Sequence, residues 1–219
     1  MSRKVLTTLG ALLAGSASLL AEPTQFWASW TVDDWANDKF STQTNVENRH
    51  GDGFDLIYFR ATQKFYYDLN DTWTLGAHPV IETARSGDDW SETYQLDLEV
   101  NPTFKLSDRL SLKVRNRYEV RRKEDHGDAN YDRYRLRTIL SYKANWLPGM
   151  TAISVGNEVY YDFSAERINA DRIYPLQLSF KPSDHFKTTV YYLYETKRQG
   201  LSEDWEGKHV IGLSSGFQF

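Results

Sequence analysis

The chain contains no cysteine, which excludes a disulfide scaffold and any zinc site held by thiolates. A chain without thiols cannot mispair in an oxidising compartment, so this composition is compatible with export. After the first 21 residues, no apolar run approaches the ~20 residues that a membrane-spanning helix needs. The net charge of −4 is not basic, so nothing in the composition indicates nucleic-acid binding. The length of 219 residues suits one domain, and 15% of the residues are aromatic.

Residues 1–21 have the pattern of a secretory signal peptide. Arg3 and Lys4 precede an apolar run that ends at Leu20, and the segment closes on a small residue. The apolar run is short for a spanning helix, which favours a cleaved signal over a membrane anchor. We therefore expect export and a mature chain, residues 22–219, that forms a single outer-membrane domain.

After the signal, polar and apolar residues alternate. In the stretch LKVRNRYEVRRK, from Leu112 to Lys123, most even positions are apolar and most odd positions are charged. Successive side chains of a strand point to opposite faces, so such a strand has one apolar and one charged face. Similar blocks lie at about 54–67, 72–84, 92–105, 133–143, 149–163, 172–181, 185–198 and 208–219. Their length exceeds the usual strand of about five or six residues and suits a tilted strand that crosses a bilayer.

The connections between the blocks favour an outer-membrane barrel. Short breaks such as 70–71 alternate with longer polar ones such as 86–91 and 164–171. Short turns at one end and long loops at the other are typical of such barrels. The last block ends in Phe217 and Phe219, which is similar to the signal by which barrel assembly machinery recognises its clients.

The pattern leaves the number of strands open. Residues 24–48 form one interrupted strand or two, and two strands, Phe26–Val32 and Phe40–Asn48, bring the total to eleven. Bacterial single-chain barrels have even strand numbers. We therefore predict an all-β fold, a closed antiparallel transmembrane β-barrel of 10 or 12 strands. In the first case the Phe26–Val32 piece lies outside the barrel, and in the second one strand is undetected.

In such a barrel the apolar face contacts lipid and the charged face encloses a wet interior. The lipid-facing set contains aromatic anchors such as Tyr118, Tyr134 and Tyr174. The residues predicted to form a basic strip inside are Lys113, Arg115, Arg117, Arg121, Arg133, Arg135 and Arg137. Their predicted acidic partners are Asp97, Glu99, Glu119, Glu158 and Asp162. Directly opposed like charges on adjacent strands are destabilising, so these cations must face carboxylates, water or a solute.

Three functions fit this interior. Our main hypothesis is a narrow passive channel for small anionic solutes, since rings of arginine are used for anion selectivity. The alternative is a closed structural barrel plugged by an arginine and glutamate lattice, because barrels of about eight strands are packed inside. The third is an outer-membrane enzyme with His78 as its general base and Glu82 on the same face. We predict no enzymatic activity, no cofactor and no metal site; the aspartates and histidine of residues 125–128 are explained by a solvated loop.

Several short motifs resemble one bacterial family. They are Asn116-Arg117-x-Glu119-x-Arg121, Tyr134-Arg135-x-Arg137, Glu47-Asn48-Arg49, Asn157-Glu158 and Glu203-Asp204-Trp205. Together they resemble the small outer-membrane barrels known as domain of unknown function 2490, over essentially all of the mature chain. The resemblance implies an outer-membrane barrel with an Arg/Glu-rich interior and no defined activity. The interior is also similar in character to that of small monomeric porins specific for acidic oligosaccharides.

These inferences place the protein in the cell outer membrane. Its expected partners are outer-membrane lipids, the barrel assembly machinery and a small anionic solute, with no nucleic acid. We expect it to be a monomer.

Overall fold

A computed structural model describes residues 24–124, 132–198 and 204–218. The predicted signal peptide, the 125–128 loop and Phe219 lie outside the described residues. The described chain forms eleven strands and one short 3-10 helix, Asp52–Phe54. The strands are β1 Thr24–Ala36, β2 Phe40–His50, β3 Leu56–Asp68, β4 Trp73–Ser86, β5 Asp89–Lys105, β6 Leu110–Lys123, β7 Arg133–Lys143, β8 Met150–Asp162, β9 Arg167–Ser183, β10 Phe186–Arg198 and β11 Trp205–Phe217.

The strands form one closed barrel in which each pairs with its neighbours in the chain. These consecutive pairs are antiparallel, and β1 closes the barrel by pairing with β11 in parallel, from Thr24 opposite His209 to Val32 opposite Phe217. The fold prediction was therefore right about a closed all-β barrel and wrong about 10 or 12 strands. An even number is required only when the closing pair is antiparallel, because strand direction alternates around the barrel. The parallel closing pair admits eleven strands, and the Phe26–Val32 piece is part of the barrel.

The two ends of the barrel differ less in their connections than the sequence suggested. We call them the Thr24 end, where β1 begins, and the Phe217 end, where β11 finishes. At the Thr24 end, β5 begins at Asp89 and β9 begins at Arg167. Most of the predicted loops 86–91 and 164–171 therefore belong to strands. Polar residues extend these strands because the backbone pairing continues beyond the apolar part of each one.

The outer face of the barrel is apolar and the inner face is polar, as the alternation predicts. On β5, for example, Leu96, Leu98 and Val100 are exposed outside, whereas Asp97 and Glu99 are buried inside. Val, Ile, Tyr and Phe fit the pleated surface of a sheet, which explains why these segments adopt strands. Within the three described ranges, no helix is both long and apolar enough to cross a membrane.

One aromatic side chain lies on the opposite face from the one predicted. Tyr174 was assigned to the outer face, yet it is buried inside and its hydroxyl donates to Glu158 at 3.3 Å. The register shifts between Tyr174 and Gln177 against β8 and between Ile173 and Leu176 against β10, so β9 has one residue more than its neighbours here. Such a β-bulge reverses the alternation beyond it, and Pro175 lies within it, where a missing N–H is tolerated.

Candidate functional site in the barrel interior

The basic strip lies on the inner face of β6 and β7. The register places Arg115 opposite Arg137, Arg117 opposite Arg135 and Glu119 opposite Arg133. Two of these three pairs oppose like charges, which by itself is unfavourable. The strip is therefore stable only if carboxylates from other strands reach it.

Carboxylates from β5, β6 and β8 meet the strip at close range. Arg117 contacts Asp97 at 2.8 Å and Glu99 at 2.6 Å. Arg135 contacts Glu119 at 2.8 Å and Glu158 at 2.8 Å. The contacts of Arg117 with Glu99 and of Arg135 with both of its partners are charge-assisted hydrogen bonds, and the side chains are almost completely buried. The structure thus brings together two of the predicted cations with four of their predicted acidic partners.

The same network continues around the barrel through residues that the sequence did not single out as a group. On one side, Arg60 contacts Asp97 at 2.6 Å, and Glu82 receives a hydrogen bond from Arg121 at 2.7 Å. On the other side, Arg172 contacts Glu195 at 2.6 Å. Arg60, Arg172 and Glu195 were missed because each lies on a strand outside the clustered basic strip. The signal that could have identified them is the alternating pattern, which places their side chains on the inner face of the barrel.

Aromatic rings fill the space between the guanidinium groups. The ring of Tyr160 lies 4.5 Å from the guanidinium carbon of Arg135 and 4.8 Å from that of Arg172. Trp27 lies 3.9 Å from that of Arg49, on the opposite wall. Cation–π contacts of this kind stabilise cations that are removed from water. The rings therefore contribute to the packing of the interior as well as to its electrostatics.

Together these side chains form a buried layer across the barrel. Ten of the eleven strands contribute at least one inward side chain that is nearly inaccessible to water: Trp27, Arg60, Glu82, Asp97, Glu119, Arg135, Glu158, Arg172, Leu193 and Val210. Strand β2 contributes Arg49, which is held by Glu47 at 2.6 Å. Asp97, Glu119 and Glu158 are 0% exposed. We refer to this set as the buried layer.

The remaining predicted residues lie at the margins of the layer. Arg133 donates to Glu119 at 2.6 Å and, like Arg121, is partly exposed towards the Thr24 end. Arg115 contacts Glu158 at 2.5 Å.

Asp162 lies outside the network: it accepts hydrogen bonds from Ser164 at the turn into β9, because β8 ends at this residue. Lys113 and Arg137 line a cavity, which is described next.

Two cavities lie on the Phe217 side of the buried layer. The first has a volume of about 290 Å³ and lies directly against Trp27, Glu47 and Arg172. The second, of about 550 Å³, reaches the strand ends at Ser41 and Ser111. Residues that line both cavities are Lys64, Arg115, Arg117 and Arg137. The inner space is therefore packed in one part and hollow in the part next to the Phe217 end.

His78, the candidate general base, is enclosed by protein. It is 0% exposed, its Nε2 lies 3.2 Å from Glu99, and its Nδ1 receives a hydrogen bond from the backbone N–H of Phe65 at 3.3 Å. A buried ring with both nitrogens next to protein groups is suited to packing and hydrogen bonding. In the part of the chain that the structure describes, no three His, Asp or Glu residues are grouped so as to hold a metal ion.

The end of the final strand was predicted to be an assembly signal. Phe217 lies on the outer face, with its ring centroid 5.2 Å from that of Phe186. Its position at the last pair with β1 makes it part of the closing seam. The structure does not test recognition by assembly machinery, so this role stays a prediction.

A family model described as "Protein of unknown function (DUF2490)" matches residues 24–205. The chain belongs to this family. The match begins at β1 and ends at the first residue of β11, so DUF2490 membership covers nearly the whole barrel, including the buried layer. No match was found among curated proteins or among solved structures. DUF2490 carries no assigned activity, so functional conclusions rest on the geometry described above.

Proposed function

We propose that this protein is a monomeric outer-membrane β-barrel with a closed interior, in which the arginine and carboxylate lattice has a structural role. An outward apolar face on strands of eleven to seventeen residues supports insertion into lipid, because a tilted strand crosses a bilayer with about nine to eleven. The charges on the inner face support insertion into lipid as well, because they are enclosed by the barrel and none of them has to contact lipid. The proposal assigns no catalytic residue.

The buried layer is the observation that carries the proposal of a closed barrel. A conducting pore needs a continuous water-filled path, yet Asp97, Glu119 and Glu158 have no exposed surface. Each of these carboxylates contacts at least two arginines. A solute that passed through would have to break several of these ion pairs at once, which would leave buried charges without partners.

A narrow channel for small anions is the second candidate, and the two cavities favour it. They occupy part of the interior and are lined by cations, as an anion path requires. Conduction in this case needs the buried layer to open on the Thr24 side. The two candidates therefore differ in one measurable property, the conductance of the native barrel.

Planar-bilayer recording of the purified protein tests this difference. We expect no conductance steps at a protein load at which a known small porin gives them. Anion-selective steps would overturn the closed barrel and favour the channel, and replacing both Arg115 and Arg135 with Glu should then invert the selectivity. Membrane placement is tested separately by cell fractionation: recovery of the mature chain in the periplasmic fraction, dissolved without detergent, would overturn it.

A further inference from the structure

The two cavities carry more positive than negative charge. The cations that line one or both are Arg49, Arg60, Lys64, Lys113, Arg115, Arg117, Arg135, Arg137 and Arg172. The carboxylates that do so are Glu47, Asp68, Glu99 and Glu158. Some of these cations are compensated by carboxylates that do not line the cavities, such as Asp97 and Glu195. The excess of positive charge in the cavities therefore depends on which of these cations lack a carboxylate partner.

The cations without a carboxylate partner all line the second cavity, and Lys64 and Arg137 line both cavities. Among the described residues, Lys64 on β3, Lys113 on β6 and Arg137 on β7 have no carboxylate as ion-pair partner. Arg115 shares Glu158 with Arg135, and its other carboxylate, Glu99, is 3.8 Å away. In addition, the Nε atoms of Arg115 and Arg137 are buried with no hydrogen-bond acceptor in the described structure. Cations from three strands thus surround one space with unused donors.

Such an arrangement is unfavourable unless something neutralises it. Like charges held close together repel, and a buried N–H without an acceptor is destabilising. A carboxylate or phosphate group offsets both effects, because its oxygens accept several hydrogen bonds and guanidinium groups match them in geometry. The four cations are therefore arranged as a site for an anion.

The rest of the cavity wall indicates what the anion is attached to. Much of it consists of hydroxyl and amide side chains, such as Ser29, Thr31, Asn45, Thr103, Ser141 and Thr189. Trp27, Tyr66 and Tyr191 add flat rings. Hydroxylated molecules such as sugars are held by such polar groups and by stacking on aromatic faces. The volume of the second cavity, about 550 Å³, falls within the range of small-molecule sites, about 300–1,000 Å³.

We propose that Lys64, Lys113, Arg115 and Arg137 form a binding site for a small oxyanion, a carboxylate or phosphate on a sugar-like hydroxylated body, which enters from the Phe217 end. The second cavity reaches that end at Ser41, Asp68, Thr74 and Ser111, whereas the buried layer closes the other side. The site therefore holds its ligand in a cavity with one opening, at the Phe217 end of the barrel. Entry from one end depends on the closed barrel proposed above, whereas binding itself does not.

Isothermal titration calorimetry of the detergent-solubilised protein tests the site. The probes are glucose 6-phosphate and glucuronate, with glucose as the uncharged comparison. We expect both anions to bind and glucose to bind at least tenfold more weakly. Arg137→Gln and Lys64→Gln should each weaken anion binding by tenfold or more, and Lys64→Arg, which keeps the charge, should restore most of it.

Arg85→Gln is the matched control, because Arg85 lies near the Thr24 end and contacts Gly87 and Asp88 in the turn there. Circular dichroism and tryptophan fluorescence establish that each variant is folded. The proposal is overturned if neither anion binds to the native protein, if glucose binds equally well, or if Arg85→Gln weakens binding as much as Arg137→Gln. Bilayer recording keeps the two proposals separate: conductance steps together with anion binding would overturn the closed barrel and retain the site.

Discussion

Replacement of Arg117 by alanine tests whether the lattice stabilises the barrel. Arg117 is buried, and it lies 2.8 Å from Asp97, 2.6 Å from Glu99 and 3.7 Å from Glu119. After its removal, Asp97 keeps its contact with Arg60 at 2.6 Å. Glu99 keeps only a longer contact with an arginine, because Arg115 is 3.8 Å away.

The expected loss follows from these distances. Removing one member of a buried ion pair leaves its partner uncompensated and costs about 3–5 kcal/mol. Arg122→Ala is the matched control, since Arg122 is on the same strand with its side chain 59% exposed and, among the described residues, one ion pair, to Asp132 at 3.7 Å. An exposed pair of this kind contributes about 0–1 kcal/mol. The same substitution five residues apart should therefore have very different effects.

Equilibrium urea unfolding in detergent micelles measures this difference, with the seven tryptophans as fluorescent reporters. The free energy of unfolding is compared from the midpoint and the slope of each transition. Equal losses for Arg117→Ala and Arg122→Ala, both within about 1 kcal/mol of the native protein, would refute the structural role of the lattice. A large loss for Arg117→Ala alone would support it.

Three further predictions concern the strands. Gly156→Ala should destabilise the barrel by about 1–3 kcal/mol, because its Cβ would lie 2.6 Å from the backbone oxygen of Thr138; an unchanged urea midpoint would contradict this. Cysteines at Ala28 and Leu213, which are partners across β1 and β11, should form a disulfide that changes mobility on a non-reducing gel, and a failure to cross-link would contradict the eleven-stranded closure. Phe217→Ala should lower the amount of barrel assembled in the outer membrane while leaving refolding in detergent intact, and normal assembly would remove the assigned role of this residue.

The alternation of residues was sufficient to predict the faces of most strands. On β6 and β7 it placed Arg117, Glu119 and Arg135 inside, because each of these strands keeps its register along its length. It failed at Tyr174, since a one-residue bulge reverses the faces and leaves no mark in a period-two pattern except Pro175. A prediction of side-chain direction therefore holds only as far as the nearest bulge.

The closure of the barrel and the unpaired cations could not be predicted in the same way. β1 has the same alternating pattern in a parallel or an antiparallel pair, so the parallel closure followed only from a count of eleven strands, which the even-number rule for bacterial barrels excluded. Which arginines find carboxylates depends on the reach of long side chains across the interior. Lys64, which lies on a strand apart from the basic strip, therefore emerged as part of the candidate anion site only from the structure.

The parallel closing pair has a consequence for how the protein is oriented. Because β1 and β11 run in the same direction, Thr24 and Phe217 emerge at opposite mouths of the barrel. In a lipid bilayer, an epitope inserted just before Thr24 and one added after the last strand would face different compartments. Antibody labelling of intact cells would then detect one of the two epitopes. The detected epitope would identify the compartment towards which the second cavity opens.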